Sequence, residues 1–276
     1  MAFRRSAGPP RSASVLLEAA DLRFGYGDST VLDGVSLEVE TGGLVGILGP
    51  NGSGKTTLLR LLGGTLRPKS GGVRLAGEDL ARIPRQHLAR RVAVVPQETQ
   101  LAFDYTVLEI VLMGRYPHLG AFEIEGPDDL ASAMAALEST GTRHLADRAY
   151  QTLSGGEKQR VVIASALAQL DEGLALTTGE SRLLLLDEPT ASLDLRYQIE
   201  VGSLLRRLHD RQDITIVLST HDLHFAASVC REVVLLRAGR VLAHGAAGRV
   251  LTPDTLAALY DINVDQVPGL PAMARQ

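Results

Sequence analysis

Gly49-Pro50-Asn51-Gly52-Ser53-Gly54-Lys55-Thr56 fills every fixed position of the pattern G-x-x-x-x-G-K-[ST]. A tight glycine-rich turn of this kind aims successive backbone N–H groups at one point, and the start of a helix adds partial positive charge there. Lys55 can then reach the outer phosphates of a nucleotide, and the Thr56 hydroxyl can ligate Mg²⁺. The flanks agree with this reading. Leu44-Val45-Gly46-Ile47-Leu48 is an apolar run suited to a buried strand, and Thr57-Leu58-Leu59-Arg60-Leu61-Leu62 suits the helix that follows. The dinucleotide pattern G-x-G-x-x-G fails, because Thr57 stands where its last glycine belongs. Residues Gly49 to Thr57 are therefore the candidate phosphate site.

Composition bounds what surrounds that site. The chain has 276 residues, 45% of them hydrophobic, enough for one large or two small packed domains. A net charge of −4 gives no electrostatic case for nucleic acid or an anionic membrane. Cys230 is the single cysteine, which excludes an internal disulfide and a multi-cysteine zinc site and favours a reducing compartment. No apolar stretch approaches the roughly 18 residues of a membrane span. The first 14 residues carry Arg4, Arg5 and Arg11 around Gly8-Pro9-Pro10 without a secretory apolar core, and read as a flexible cytoplasmic extension or, alternatively, an organelle address.

Periodicity predicts strands at Val15 to Arg23, Val31 to Glu40, Arg91 to Val95, Leu183 to Leu186 and Ile214 to Leu218, with a terminal hairpin at Val233 to Leu236 and Arg240 to Leu242. Helices are predicted from Thr106, over Pro127 to Leu137, Gly155 to Leu170, Leu195 to His209, Asp222 to Val229 and Pro253 to Leu259. The segment after the phosphate loop reads as polar and broken by glycine. A mixed sheet with helices, interrupted by an α-rich insert, is the expected α/β architecture.

Two further stretches carry chemistry. Asp187-Glu188 ends the Leu183–Leu186 strand, so both carboxylates emerge where open α/β sheets bind ligands. Asp187 could hold Mg²⁺ through water and Glu188 could face an attacking water. Leu153-Ser154-Gly155-Gly156-Glu157 opens the Gly155 helix. Its glycines permit close approach to an anion, and the helix dipole points at it. Read alone, Ser154 is an ordinary N-cap. A second phosphate-binding element beside one nucleotide loop suggests a two-fold arrangement in which each copy grips the nucleotide of another.

Taken together these elements resemble the ATP-binding cassette (ABC) ATPases, from about Val15 to Ile262. The resemblance implies a P-loop NTPase core with an inserted α-helical subdomain at about residues 98–172, flanked by an extension at 1–14 and a tail at 263–276. It implies ATP and Mg²⁺ as ligands. Tyr26 resembles the aromatic residue that stacks on adenine, Gln97 the glutamine that senses Mg²⁺, and His221 the histidine that contacts the γ-phosphate. Ser192-Leu193-Asp194 resembles the loop that crosses the dimer seam, and Ser154-Gly155-Gly156 the signature that contacts the opposite nucleotide. Glu157 stands in place of the usual glutamine, and Ser165 where arginine is often found.

Within the family, Leu101 to Val107 and Val111 to His118, with Leu251 to Leu256 and Leu259-Tyr260, are similar to ATPases that import metal chelates: ferric siderophores, vitamin B12 and haem. The implied partners are a second copy in a nucleotide-sandwich homodimer, integral membrane permease subunits and, indirectly, a periplasmic or surface binding protein. The implied location is peripheral, on the cytoplasmic face of the inner membrane. Exporter service and a soluble cofactor-assembly ATPase are the alternatives. A DNA-repair cassette ATPase would need long heptad segments between Gln97 and Ser154, which the sequence lacks. A sugar-importer type of C-terminal regulatory domain is not expected. His221 and His224 form no recognisable zinc set. Cys230 reads as a small buried hydrophobe, residues 169–181 as a surface loop, and Pro117 as a helix stop.

Overall fold

Apolar strands separated by amphipathic helices assemble into two sheets. The computed structural model describes residues 14–99, 103–171, 182–191, 193–212 and 214–266. In chain order the elements are β1 (Val15–Tyr26), β2 (Ser29–Glu40), β3 (Leu44–Leu48), α1 (Lys55–Leu62), β4 (Ser70–Leu75), β5 (Glu78–Asp79), α2 (Arg85–Arg91), β6 (Val92–Val95), α3 (Val107–Met113), α4 (Pro127–Ser139), α5 (Gly155–Leu170), β7 (Arg182–Asp187), α6 (Leu195–Gln212), β8 (Ile214–Thr220), α7 (Leu223–Val229), β9 (Glu232–Arg237), β10 (Arg240–Ala246), α8 (Ala247–Val250) and α9 (Pro253–Tyr260). One sheet has four strands in the order β2-β1-β4-β5, the other six in the order β10-β9-β3-β8-β7-β6.

The larger sheet is parallel except for the β9–β10 hairpin. A parallel strand covered on both faces must be apolar throughout, and alternation then sends its side chains to two cores. Leu184 and Leu186 of β7 enter one core, Leu183 and Leu185 the other. β8 divides its residues in the same way, with Ile216 and Leu218 opposed to Val217. Leu58, Leu59, Leu61 and Leu62 of α1 fill the core shared with β1 and β2. The second core lies under α3, α4, α5, α6 and α7. Truncating one such leucine to alanine costs about 2–5 kcal/mol.

Register brings the functional loops together. Leu48 of β3 pairs with Thr220 of β8, and Asp187 of β7 with Ser219. The carboxyl ends of β3, β7 and β8 are therefore level, and each strand hands its next residues to the same edge of the sheet. β6, beside β7, delivers Pro96 and Gln97 there.

Three expectations are corrected. The stretch after α1 is structured: β4 pairs with β1, β5 with β4, and α2 precedes β6. Its signal was faint because only Val73 and Leu75 of β4 are buried and α2 buries no residue fully. Pro117 does not stop α3. That helix ends at Met113 with Gly114 as C-cap, and Gly114 is demanded by α5, since a Cβ there would sit 2.2 Å from the Ser165 carbonyl oxygen. Pro117 lies instead in a 3₁₀ turn, Tyr116–His118. Gln169 and Leu170 belong to α5 rather than to a loop, and Gln169 donates to the Ala89 and Val92 carbonyls. Residues 172–181, Ser192, Leu101 and Ala102, most of the 1–14 extension and most of the 263–276 tail lie outside the described residues.

The same region holds a buried pin that the sequence reading passed over. Arg115 pairs with Asp129 at 3.0 Å and donates to the Ala168 carbonyl at 2.7 Å and to that of Asp171. It ties α4 to the end of α5, while Gln86 and Arg90 of α2 donate to the Pro117 carbonyl.

Candidate functional site

The phosphate loop leaves β3 at Leu48 and enters α1 at Lys55. Its N-cap, Gly54, adopts φ of 104° and offers no side-chain cap, a conformation that favours glycine. The loop is also pressed from behind: a Cβ on Gly49 would lie 2.1 Å from the Leu236 carbonyl oxygen. Lys55 is 5% exposed. Its Nζ donates to the Gly49 carbonyl at 2.9 Å and that of Pro50 at 3.3 Å, and pairs with Glu188 Oε1 at 3.3 Å. The Ser53 hydroxyl is buried without a hydrogen-bond partner. A buried cation and an orphaned donor in a loop of glycines suit phosphate oxygens.

The acidic pair approaches from β7. Asp187 Oδ1 accepts from the Thr56 hydroxyl at 3.2 Å and from the Ser219 hydroxyl at 2.6 Å. The Glu188 N–H donates to the same Ser219 oxygen at 3.0 Å. Glu188 has φ of 46°, a strained conformation for a side chain of its size and worth on the order of 1–3 kcal/mol. Its Oε2 lies 3.2 Å from His221 Nδ1. The Asp222 side chain accepts from the Phe225 N–H and caps α7, fixing the start of the helix that follows His221.

Asn51, Gly52, Gly54, Lys55, Thr56, Thr57, Gln97, Glu188 and His221 all line one cavity of about 790 Å³. Gln97 also shares a smaller crevice with Thr56 and Asp187. Among the described residues no three His, Cys, Asp or Glu groups converge on a metal position. The hydroxyl and carboxylate oxygens of Thr56 and Asp187 fit Mg²⁺, which takes few protein ligands and completes its shell with water and phosphate.

Other expected site residues stay outside this cavity. Tyr26 is 51% exposed and stacks edge-on against Phe24 at 5.0 Å. Asp194 caps α6, accepting from the Tyr197 N–H at 3.1 Å. Ser154 caps α5: its backbone N–H and hydroxyl both donate to Glu157 Oε2 at 2.8 Å, and its oxygen accepts from the Glu157 N–H. Gly156 has an intramolecular reason to be glycine, because a Cβ would meet the Tyr197 ring at 2.2 Å. Ser219 is the residue that motif reading missed. Fully buried, it couples the two acids, and its trace in the sequence is the Ser219-Thr220 pair that follows the apolar run Ile216-Val217-Leu218.

The profile of the ABC transporter family matches residues 32–191. The chain belongs to this family. Among its relatives, hemin import ATP-binding protein HmuV of Methylobacillus flagellatus is 42% identical over 90% of this chain and 90% of that protein. Cobalamin import ATP-binding protein BtuD of Halobacterium salinarum is 42% identical over 90% of this chain, which spans 59% of that protein's length. A solved structure assigned to a metal-chelate type ABC transporter, in an inward-facing conformation, superposes with a TM-score of 0.76 at 33% identity, covering 90% of this chain and 89% of that one. The fold is thus that of the P-loop ABC ATPases, a family of nucleotide-binding proteins, and the phosphate loop and acidic strand both fall inside the matched segment.

Proposed function

We propose that this ABC ATPase hydrolyses ATP to energise import of a metal chelate through separate membrane permease subunits. The observation that carries the reading is the convergence of Lys55, Thr56, Gln97, Glu188 and His221 on one cavity, in a chain whose relatives are hemin and cobalamin import proteins. The cassette would span residues 15–262, with its helical part at about 98–172 and flanking segments at 1–14 and 263–276.

Each residue then has a task set by its surroundings. Phosphate oxygens replace the Gly49 and Pro50 carbonyls and the Glu188 carboxylate around Lys55, with the loop N–H groups from Gly49 to Thr57 sharing the charge. Glu188, released from Lys55, orients a water and accepts its proton. His221 and Gln97 complete the γ-phosphate surroundings, and Tyr26 supplies the adenine platform. Thr56 and, through water, Asp187 would hold Mg²⁺, with Gln97 beside it, and the ion would supply charge neutralisation to the phosphates. Ser219 is the positioning residue of this set: it holds Asp187 and the Glu188 backbone in one frame.

Ser154, Gly155, Gly156 and Asp194 act on the nucleotide of a second copy, so that closure of the homodimer completes two sites. Among the described residues no helix is long and apolar enough to cross a membrane, and the subunit works peripherally at the cytoplasmic face, served indirectly by a binding protein outside. Haem, a corrinoid or a ferric siderophore is the cargo class. The permease and binding protein, which touch it, set the choice among them. Reconstitution with the permease and binding protein in vesicles tests the proposal: ATP-dependent uptake of one of the three chelates supports it. Export, or co-purification with a soluble assembly complex and no permease, would overturn it.

A further inference from the structure

The turn between β9 and β10 is built differently from a simple hairpin end. Ala238 and Gly239 have φ of 46° and 74°, the left-handed pair of a tight hairpin turn. The Gly239 peptide does not face solvent on either side. Its N–H donates to the Ser53 carbonyl of the phosphate loop at 3.1 Å, and its carbonyl accepts from the Asp33 N–H of β2 at 2.9 Å. A Cβ on Gly239 would stand 2.3 Å from the Val31 carbonyl oxygen, and Val31 itself lines the large cavity. The carbonyl of Leu236, just before the turn, presses on Gly49. An ionic clasp closes the arrangement: Asp33 pairs with Arg23 at 2.8 Å and with Arg240, the residue after the turn.

We infer that the Ala238–Gly239 turn is a strut that positions the phosphate loop. Ser53 can direct its carbonyl away from the cavity because Gly239 satisfies it there. The loop is then free to turn its N–H groups inward, which is the orientation an anion needs. Gly239 touches no substrate. It is a positioning residue that acts through Ser53, with Asp33 and Arg240 fixing the turn against β2. Nothing in the phosphate-loop pattern signals this dependence, since the turn follows Ser53 only after most of the remaining cassette, at Ala238 and Gly239. The inference rests on the reading that this cavity binds ATP.

The test compares Gly239→Ala and Asp33→Asn with the wild-type full chain, measuring ATP affinity by calorimetry, steady-state kcat and KM with the permease present, and thermal melting without nucleotide. Gly239→Ala is expected to raise the Kd and KM for ATP about ten- to hundredfold, the scale of a small misplacement, while kcat at saturating ATP changes far less. Asp33→Asn, which loosens the clasp without a steric clash, is expected to raise Kd by a few-fold with unchanged melting. A merely structural turn would lower melting and leave the affinity of the folded fraction intact. Wild-type affinity in folded Gly239→Ala overturns the strut. If that variant does not fold, wild-type affinity in Asp33→Asn does so. Wild-type protein that fails to bind ATP would instead sink the functional reading.

Discussion

Two helix starts in this molecule carry the same ingredients, glycines and a hydroxyl ahead of a positive dipole end, yet they are in opposite conditions. At α1 the N-cap is a glycine with no side-chain bond, the Ser53 hydroxyl has no partner, and the loop opens into the cavity. At α5 the N-terminus is closed by its own residues, Ser154 and Glu157 bonding reciprocally, and Gly156 is packed against Tyr197. The first is preorganised for phosphate. Under the two-copy reading proposed above, the second would exchange the Glu157 carboxylate for an outside anion. That difference suits a permanent half-site in each protomer and a transient half lent by the other.

Four outcomes break or sharpen this contrast, in decreasing size. Glu188→Gln should lower turnover by about 10²–10⁴ while keeping ATP bound, the range of a lost general base. Near-normal hydrolysis would remove Glu188 from that role. Ser154→Ala should lower turnover by about 10²–10³, the cost of one lost donor to developing charge, yet leave ATP affinity of the isolated chain unchanged. If affinity fell with turnover, Ser154 would belong to the same half-site as Lys55. The same variant should lose about 1 kcal/mol of stability through the missing cap, read by denaturant melts.

The third outcome is a pH dependence. Hydrogen bonds from the Ser154 N–H and hydroxyl hold the Glu157 carboxyl below its ordinary range, against opposing burial and with help from Arg148 and Arg160. A depressed folded-state pKa gives stability that is present above the unfolded pKa and lost as pH falls through the folded one. The melting gap between wild type and Glu157→Ala should therefore be full at neutral pH and close on acidification below the usual carboxylate range. A constant gap would mean that packing, not the charged cap, holds the α5 start. The smallest outcome concerns the floor of the phosphate loop. Cys230 lies beneath β3, where a Cβ on Gly46 would meet its sulfur at 2.9 Å, and burial pushes its thiol up to about 12. Alkylation should be negligible with or without ATP, and ATP-dependent labelling would show that the preorganised half moves.

Much of this architecture was legible because its elements repeat simple rules. β3 and β7 announce themselves as short unbroken apolar runs, β8 as an apolar run interrupted at Thr215, and α5 begins where Ser154 reads as an N-cap, which the structure extends to a capping box with Glu157. β4, β5 and α2 were invisible, since a strand burying two side chains and a helix burying none leave almost no periodic signal. Pro117 misled for a related reason: the end of α3 is fixed by contact with α5 at Gly114, a tertiary constraint that local rules do not encode. At the site, Lys55, Thr56, Asp187 and Glu188 were readable from motif spacing. Ser219 and Gly239 were not, because their importance lies in what they touch across the sheet.

Sedimentation of the Glu188→Gln protein with ATP and Mg²⁺, alone and beside its permease, tests the two-half account most directly. The account predicts a dimer holding two nucleotides, reverting to monomer when Ser154→Ala is added. A protein that binds ATP but stays monomeric in both settings, or a dimer indifferent to Ser154, would contradict it.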